Sequence, residues 1–194
     1  LQAAHEANIL HRDIKPENVL VTPEGAPKII DFGLVRSSDG GNTRMTASGV
    51  IVGTALYTAP ELLSGTAEAS EKSDLYSFGV LAYELLTGKH PYTGIALHNL
   101  ANPSFVLEAN TLTSQNPKID GKINELVMAS ISRVPGNRPE SMGKLYHRLS
   151  RWLSRSESQR EVKTRSLPAQ KLLSKPEVDS KNTKRALPQL SFQW

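Results

Sequence analysis

The hydrophobic positions of this chain recur mainly at helical spacing. Residues 73–87 are apolar on nearly every side of the helix that they would form, and Gly88 follows them as a terminator. We expect such a helix at the buried centre of a helical domain.

The pattern predicts further helices on both sides of this one. Residues 1–10 fit the last turns of a helix with Asn8 as its left-handed cap, and Pro60 opens a short helix. Two later stretches carry one apolar face each, formed by Ile123, Leu126, Val127 and Ile131 and by Met142, Leu145, Leu149 and Trp152.

Two short apolar runs predict a β-hairpin near the start of the chain. Residues 18–22 and 28–31 have the length of short strands, and Gly25 lies in the turn between them, where a positive φ is expected. Because paired strands lie side by side, the hairpin would carry Asn18 and Asp31 close together. The whole pattern predicts a mainly α domain with one small hairpin.

Polar stretches divide the chain further. Residues 34–58 are rich in Ser, Thr, Gly and Asn and have little periodicity, which predicts a long, irregular and functional loop. Residues 151–194 contain ten Lys and Arg against four acidic residues, a charge of +6, so the other 150 residues sum to −2 within the net +4. We expect a domain over residues 1–153 and a basic, disordered tail over 154–194. Because the excess charge lies in a tail, no nucleic-acid partner is expected.

The composition excludes several kinds of site. The chain has no cysteine, so it has neither disulfides nor zinc–thiolate sites, and this fits reducing, cytoplasmic surroundings. No run approaches 18 apolar residues, so no membrane segment is expected, and residues 1–10 lack the basic start and long apolar middle of a signal peptide. The chain begins with Leu in the middle of a helical pattern, which we interpret as the mark of a fragment.

The densest group of chemically active side chains lies between His11 and Asn18. This stretch brings acidic, basic and amide side chains together within eight residues, and another carboxylate, Asp31, follows 18 positions after Asp13. A loop with a proton acceptor and a cation, followed by two oxygen ligands for a hard divalent metal, suits phosphoryl transfer. The alternative is that Asn18 only forms a turn and that Asp31 only caps a strand end.

These motifs resemble those of eukaryotic-type (Hanks-type) protein kinases. The stretch from His11 to Asn18 resembles the catalytic loop of that family, and Asp31-Phe32-Gly33 resembles its metal-binding motif. Residues 53–61 resemble the substrate-docking segment, and residues 73–80 resemble the central helix, with Tyr76 where the family usually has Trp. The resemblance covers about residues 1–153 and is strongest to bacterial Ser/Thr kinases. It implies the fold of the large helical lobe (the C-lobe) without a counterpart of the small, nucleotide-clamping lobe.

The resemblance also implies roles for the residues of the catalytic loop. Asp13 would be the general base that orients the substrate hydroxyl, and Lys15 would neutralise charge on the transferring phosphate and indicate Ser/Thr substrates. Asn18 and Asp31 would hold Mg²⁺, which bridges the phosphates of ATP. Leu20 would pack below the adenine ring. His11 and Phe32 would stack in a hydrophobic spine and have no acid–base role.

Other implied roles concern regulation and support. Arg12 resembles the arginine that contacts a phosphorylated activation loop, for which Thr43 and Thr46 are favoured acceptors and Ser48 a further candidate. Thr54 matches the substrate-pocket threonine that contacts the catalytic Asp and Lys. Three further residues would be structural, with Glu61 and Arg138 forming a buried ion pair and Asp74 binding the backbone of the catalytic loop.

Two functions follow from the resemblance. In the first, the chain is part of a Ser/Thr protein kinase that transfers the γ-phosphate of ATP to a protein substrate, with ATP and Mg²⁺ as cofactors. In the second, the chain is a catalytically inactive, truncated kinase that acts as a binding module. The intact residues Asp13, Lys15, Asn18 and Asp31 favour the first, and the missing small lobe favours the second.

Overall fold

The computed structural model describes residues 1–32, 55–106 and 108–165, with side chains described up to residue 155. The structure is mainly helical with one small sheet, as the hydrophobic pattern predicts. Single 3-10 turns form at Pro16–Asn18 and Pro135–Asn137. The helices and strands are α1 Gln2–Glu6, β1 Val19–Val21, β2 Pro27–Ile29, α2 Pro60–Leu63, α3 Glu71–Thr87, α4 Leu97–Ala101, α5 Leu112–Gln115, α6 Gly121–Ser130 and α7 Met142–Arg165.

The sheet consists of β1 and β2, which pair antiparallel. Val19 lies opposite Ile29 and Val21 lies opposite Pro27. The connecting turn contains Gly25 at φ +83°, a backbone conformation that side chains other than glycine rarely adopt. Both strands are three residues long, shorter than the predicted runs, and the sheet comes directly after residues 11–18.

Helix α3 is the centre of the helical domain. Ser70 precedes it and donates its N–H to the Ser73 hydroxyl over 3.0 Å, which starts the helix two residues before the predicted beginning. The helix ends at Gly88, whose φ is +71°. Around α3 the main core contains Ala59, Tyr76, Val80, Tyr83, Tyr92, Leu100, Leu112, Val127 and Ile131, and a second cluster contains Leu75, Leu126, Met142 and Leu145.

The pattern-based prediction was wrong at the end of α3. Leu85 and Leu86 were expected to be buried but are 76% and 39% exposed. The buried residues of α3 all lie between Ser73 and Tyr83, so its last turn extends beyond the buried part of the helix. Helix α7 continues to Arg165, into the stretch for which a disordered or loosely attached tail is predicted. Residues 144–165 contain neither glycine nor proline and are rich in good helix formers, so nothing local stops the helix there.

Leu1–Leu153 form one compact unit, and the residues from Ser154 onward belong to a second unit. The division into a domain over residues 1–153 and a basic, disordered tail over residues 154–194 stays a prediction. Among the helices of the described ranges, none combines the length and the apolar character needed to cross a bilayer.

Candidate active site

The stretch from His11 to Asn18, which we call the catalytic loop after the family motif that it resembles, is attached to the central helix α3 through the carboxylate of Asp74. This side chain is only 1% exposed and lies in the first turns of α3. Its Oδ2 accepts the backbone N–H of His11 over 2.8 Å, and its Oδ1 accepts that of Arg12 over 2.9 Å. Arg12 has φ +67°, a strained value for a residue with a side chain. Hydrogen bonds to a charged acceptor are stronger than neutral ones, and two of them offset this strain.

His5 contacts the same carboxylate, on the oxygen that also accepts the His11 N–H. Its Nε2 lies 2.8 Å from Asp74 Oδ2, and the residue is 6% exposed. No side chain in the described ranges hydrogen-bonds to its Nδ1, and Glu71 Oε2 is 3.8 Å away. Sequence reasoning missed His5, because a single histidine among the alanines of a short helix gives no sign that it contacts a residue 69 positions later.

His11 is completely buried and hydrogen-bonded on both ring nitrogens. Its Nδ1 accepts the N–H of Asp13 over 3.3 Å, so the hydrogen is on Nε2, which lies 2.9 Å from the Ile30 carbonyl oxygen. The ring packs against that of Phe32, with centroids 4.7 Å apart. His11 thus joins the catalytic loop to the end of the small sheet.

Asp13, Lys15 and Asn18 form one connected polar group. The Lys15 ammonium lies 2.8 Å from Asp13 Oδ2, and the Asn18 amide donates to the same oxygen over 3.0 Å. The Asn18 amide also donates to the Asp13 carbonyl over 2.7 Å, which closes the loop on itself. Asn18 is 6% exposed, whereas the Asp13 side chain is 34% exposed. The carboxylate is therefore held in one orientation at an accessible surface.

The second carboxylate, Asp31, follows β2. The Ile30 N–H donates to the Asn18 carbonyl over 3.0 Å, which brings the residue before Asp31 against the catalytic loop. Asp31 is exposed and has φ +55°, and Leu20 on β1 is 53% exposed. The predicted residues Gly33, Thr43, Thr46, Ser48 and Thr54 lie outside the described residues.

Asn18 and Asp31 supply the amide and carboxylate oxygens that Mg²⁺ prefers. Within residues 1–32, 55–106 and 108–165, no three His, Asp or Glu side chains converge to hold a metal by themselves. Mg²⁺ commonly takes only one or two protein ligands and completes its shell with water and substrate phosphates, so this pair fits it.

Glu61 and Arg138 meet in a bidentate ion pair. The two guanidinium nitrogens lie 2.6 and 2.7 Å from the carboxylate oxygens, and the Arg138 side chain has no exposed surface. The carbonyl oxygens of Lys72, Ser132 and Arg133 accept its three remaining N–H groups over 2.8, 2.8 and 3.2 Å. The guanidinium also lies 5.0 Å from the centre of the Tyr76 ring. The pair fastens α2 to the turn before α7.

Just before α2, the described part of the docking segment, residues 55–61, is held by a second polar group. The Tyr57 hydroxyl donates to the Glu84 carboxylate, and burial together with this carboxylate raises the pKa of Tyr57. The His90 ring contacts the Leu56 carbonyl, and burial lowers the pKa of His90. Sequence reasoning missed these contacts, since His90 lies in an ordinary turn whose sequence predicts only a loop.

This chain is similar in sequence to a known family of proteins. The profile of the family described as Protein kinase domain matches residues 1–150. PknL, a serine/threonine-protein kinase of Mycobacterium tuberculosis, is 40% identical over 138 residues, which are 71% of this chain and 34% of PknL. PknA of the same organism is 37% identical over 148 residues, which are 74% of this chain and 32% of PknA. A probable serine/threonine-protein kinase of Clostridium perfringens is 37% identical over 138 residues, 20% of its length. The chain thus spans about a third or less of these curated relatives.

Proposed function

The chain belongs to the protein kinase family, and on that premise we propose that it forms the large lobe of an ATP-dependent Ser/Thr protein kinase. The observation that carries this proposal is the connected group of Asp13, Lys15 and Asn18, in a loop whose backbone Asp74 binds just before Asp13. A pseudokinase that has lost catalysis has no need to keep a carboxylate, a cation and an amide in mutual contact at an accessible surface.

In this proposal Asp13 accepts the proton of the substrate hydroxyl. Two donors hold its Oδ2, so the carboxylate cannot rotate freely, and Oδ1 is the oxygen that we assign to the hydroxyl. In phosphoryl transfer little bonding to the nucleophile develops early, so positioning the hydroxyl contributes more than removing its proton. Because Asp74 fixes the backbone on the N-terminal side of Asp13, it sets where that carboxylate lies.

Lys15 contributes positive charge beside the base. In the described arrangement its ammonium neutralises Asp13, and with substrate present the same flexible side chain can reach a phosphate oxygen. A preorganised cation stabilises the charge on the transferring group without a cost of reorganisation at the moment of reaction. The Lys-Pro-Glu sequence from Lys15 to Glu17 favours Ser or Thr over Tyr as the acceptor, by family resemblance.

Asn18 and Asp31 would hold Mg²⁺, and Leu20 would pack below the adenine of ATP. Bound Mg²⁺ neutralises phosphate charge and orients the nucleotide. In the described structure the Asn18 amide nitrogen is used twice on Asp13, which leaves its oxygen as the metal ligand. The exposed Leu20 on β1 offers an apolar surface beside these ligands.

Regulation by phosphorylation belongs to the same proposal. Arg12 lies next to the base on a strained backbone anchored to Asp74, so a phosphate paired with its guanidinium would act on the catalytic loop directly. We assign Thr43 and Thr46 as acceptors and Thr54 to the substrate pocket.

A second candidate function is that of an inactive binding module. It is favoured by one observation, namely that residues 1–194 include no stretch resembling the glycine-rich loop, the strand lysine or its helix glutamate. Without them the nucleotide phosphates would not be aligned at normal strength. We therefore propose that kinase activity requires this chain to be joined to a nucleotide-clamping lobe.

A radiolabelled-ATP assay compares the 194-residue chain with the complete product of its gene, including whatever the reading frame encodes before Leu1. We expect negligible transfer by the chain alone, robust transfer by the complete product, and a loss of about 10²–10⁴-fold in an Asp13→Asn variant of the latter. Transfer by the complete product that Asp13→Asn leaves intact would refute the proposed role of Asp13.

Mass spectrometry of residues 34–58 in the active protein tests Thr43 and Thr46 as phosphate acceptors. Full activity without phosphate on either residue would refute their proposed regulatory role.

A further inference from the structure

We propose that His90 is a positioning residue for protein substrates, because it fixes the backbone of the docking segment at Leu56. The inference rests on the proposed kinase function for its meaning, although the contact itself can be tested without any activity. Nothing in the catalytic chemistry described above requires His90, which lies in the loop after α3 and not in the catalytic loop.

The hydrogen bonds of His90 define its tautomer. Its Nδ1 accepts the backbone N–H of Tyr92 over 3.2 Å, so this nitrogen carries no hydrogen. The hydrogen is therefore on Nε2, which donates to the Leu56 carbonyl over 3.1 Å. One neutral imidazole thus connects the loop after α3 to a residue 34 positions earlier, and both of its nitrogens are used.

The rings around His90 restrict it further. The Tyr57 ring meets it edge-on at a centroid distance of 5.7 Å, and the Tyr92 ring lies 5.9 Å away. The Tyr57 hydroxyl is in turn bound to Glu84 in the last turns of α3. Tyr57 is therefore attached through its side chain to the last turn of α3, and Leu56 is attached through its backbone to the loop that follows this helix.

The loop that carries His90 is itself anchored in the core. Tyr92 is 4% exposed, and its hydroxyl donates to the Ile131 carbonyl over 3.2 Å. Ala59, three residues after Leu56, has no exposed surface. The docking segment is thus fixed at two points: His90 binds the Leu56 carbonyl, and Ala59 is buried in the core. Thr58 lies between these two points in the sequence. A protein substrate that binds along this segment would meet a backbone whose position His90 sets.

Protonation of His90 would break one of its two hydrogen bonds, the one with the Tyr92 N–H. The groups that face the ring are Glu84, Tyr57, Tyr92 and the Leu56 carbonyl, and burial lowers the pKa of His90 despite the carboxylate and the carbonyl. A proton on Nδ1 would point at the Tyr92 N–H, which then loses its acceptor. Since the folded pKa lies below the ordinary 6.5, the stabilisation is present above pH 6.5 and is lost as the pH falls through the lower, folded value.

Two substitutions separate the two contacts. In His90→Asn the side-chain oxygen can replace Nδ1 towards Tyr92, but the donor to Leu56 is lost. In His90→Gln the terminal amide can replace Nε2 towards Leu56, but the acceptor for Tyr92 is lost. Amide hydrogen exchange in the 194-residue chain, measured by NMR, reports on both contacts. The Thr58 N–H, which bonds to the Ala55 carbonyl, reports on the docking segment. The Tyr92 N–H, which bonds to His90 Nδ1, reports on the other contact directly.

We expect a crossed result. His90→Asn accelerates exchange at Thr58 about fivefold, the factor that corresponds to one net hydrogen bond, and leaves Tyr92 protected, whereas His90→Gln does the reverse. Unchanged exchange at Thr58 in His90→Asn would overturn the proposal, and so would equal acceleration at both amides in both variants, which indicates general loosening. In the wild type, protection of the Tyr92 N–H should fall as the pH drops below 6.5 towards the lowered pKa of His90, and protection of Tyr92 that does not change on acidification would overturn the protonation step.

A kinetic measurement on the complete gene product tests the link to substrate. His90→Asn is expected to raise the KM for a peptide substrate about fivefold and to leave the KM for ATP unchanged. An unchanged peptide KM would overturn the positioning role. Absence of transfer by the wild-type gene product would instead refute the proposed kinase function, while the exchange experiment would still decide whether His90 holds Leu56.

Discussion

Replacing Asp74 by asparagine would remove one buried charge from beneath the catalytic loop without changing the shape of the side chain. Oδ2 accepts from the His11 N–H and contacts His5, while Oδ1 accepts from the Arg12 N–H. Asparagine has one oxygen, so in either amide orientation its NH₂ group faces one of the two backbone N–H groups. One buried donor is left unsatisfied at a cost of about 1–3 kcal/mol, and the remaining bonds lose their charged acceptor. We expect a total destabilisation of about 3 kcal/mol.

Urea unfolding of the 194-residue chain at neutral pH measures this difference. With a slope of about 2 kcal/mol per M, a loss of about 3 kcal/mol lowers the midpoint by roughly 1.5 M. Asp120→Asn is the matched control, since Asp120 is exposed and caps α6 by accepting the Lys122 N–H, a role that asparagine fills equally well. If Asp74→Asn unfolds within about 1 kcal/mol of the wild type, or no earlier than Asp120→Asn, the reasoning about the catalytic-loop anchor is refuted.

Two further predictions concern the packing around the central helix. Arg138→Met leaves the Glu61 carboxylate, whose side chain is 10% exposed, without its partner and should destabilise the chain by about 3–5 kcal/mol in urea, whereas Arg148→Met, which breaks an exposed ion pair, should change the midpoint little. Similar midpoints for the two variants would contradict this account of the buried pair. Gly79→Ala should lower the midpoint of thermal unfolding, because the added Cβ would lie 2.7 Å from a side-chain atom of α6, and Gly121→Ala, with no atom within 4 Å, should raise it. A Gly79→Ala variant as stable as the wild type would show that α6 moves away easily.

The local elements were largely predictable from the chain. The positions of α3, α2 and the short hairpin follow from a continuous apolar run, a proline in a first turn and a glycine at positive φ. The exposure of Leu85 was not predictable, because periodicity says which residues are apolar and does not say where the neighbouring helices end. The extension of α7 to Arg165 was missed for a different reason, namely that polar composition was given more weight than the absence of glycine and proline.

The catalytic group itself is largely local. Asp13, Lys15 and Asn18 lie within six residues, so a single tight loop can bring them into contact, and their sequence spacing already indicates phosphoryl transfer. Resemblance to kinases supplied the expectation that Glu61 would meet Arg138, and the structure has this contact across 77 positions. Hydrophobic periodicity could not have supplied it, because a buried polar pair follows neither the helical nor the strand repeat.

What only the tertiary structure decided is how the catalytic loop is held on α3 and how the docking segment is held by the loop after it. The contact of His5 with Asp74 and that of His90 with Leu56 span 69 and 34 positions. Each depends on a hydrogen bond between elements that meet only after the core around α3 has formed. The amino-acid sequence by itself determined the chemistry of the catalytic loop, because neighbouring side chains create it. The packing of the domain determined where that loop and the docking segment lie, because buried polar contacts form only where distant parts of the chain are brought within hydrogen-bond distance.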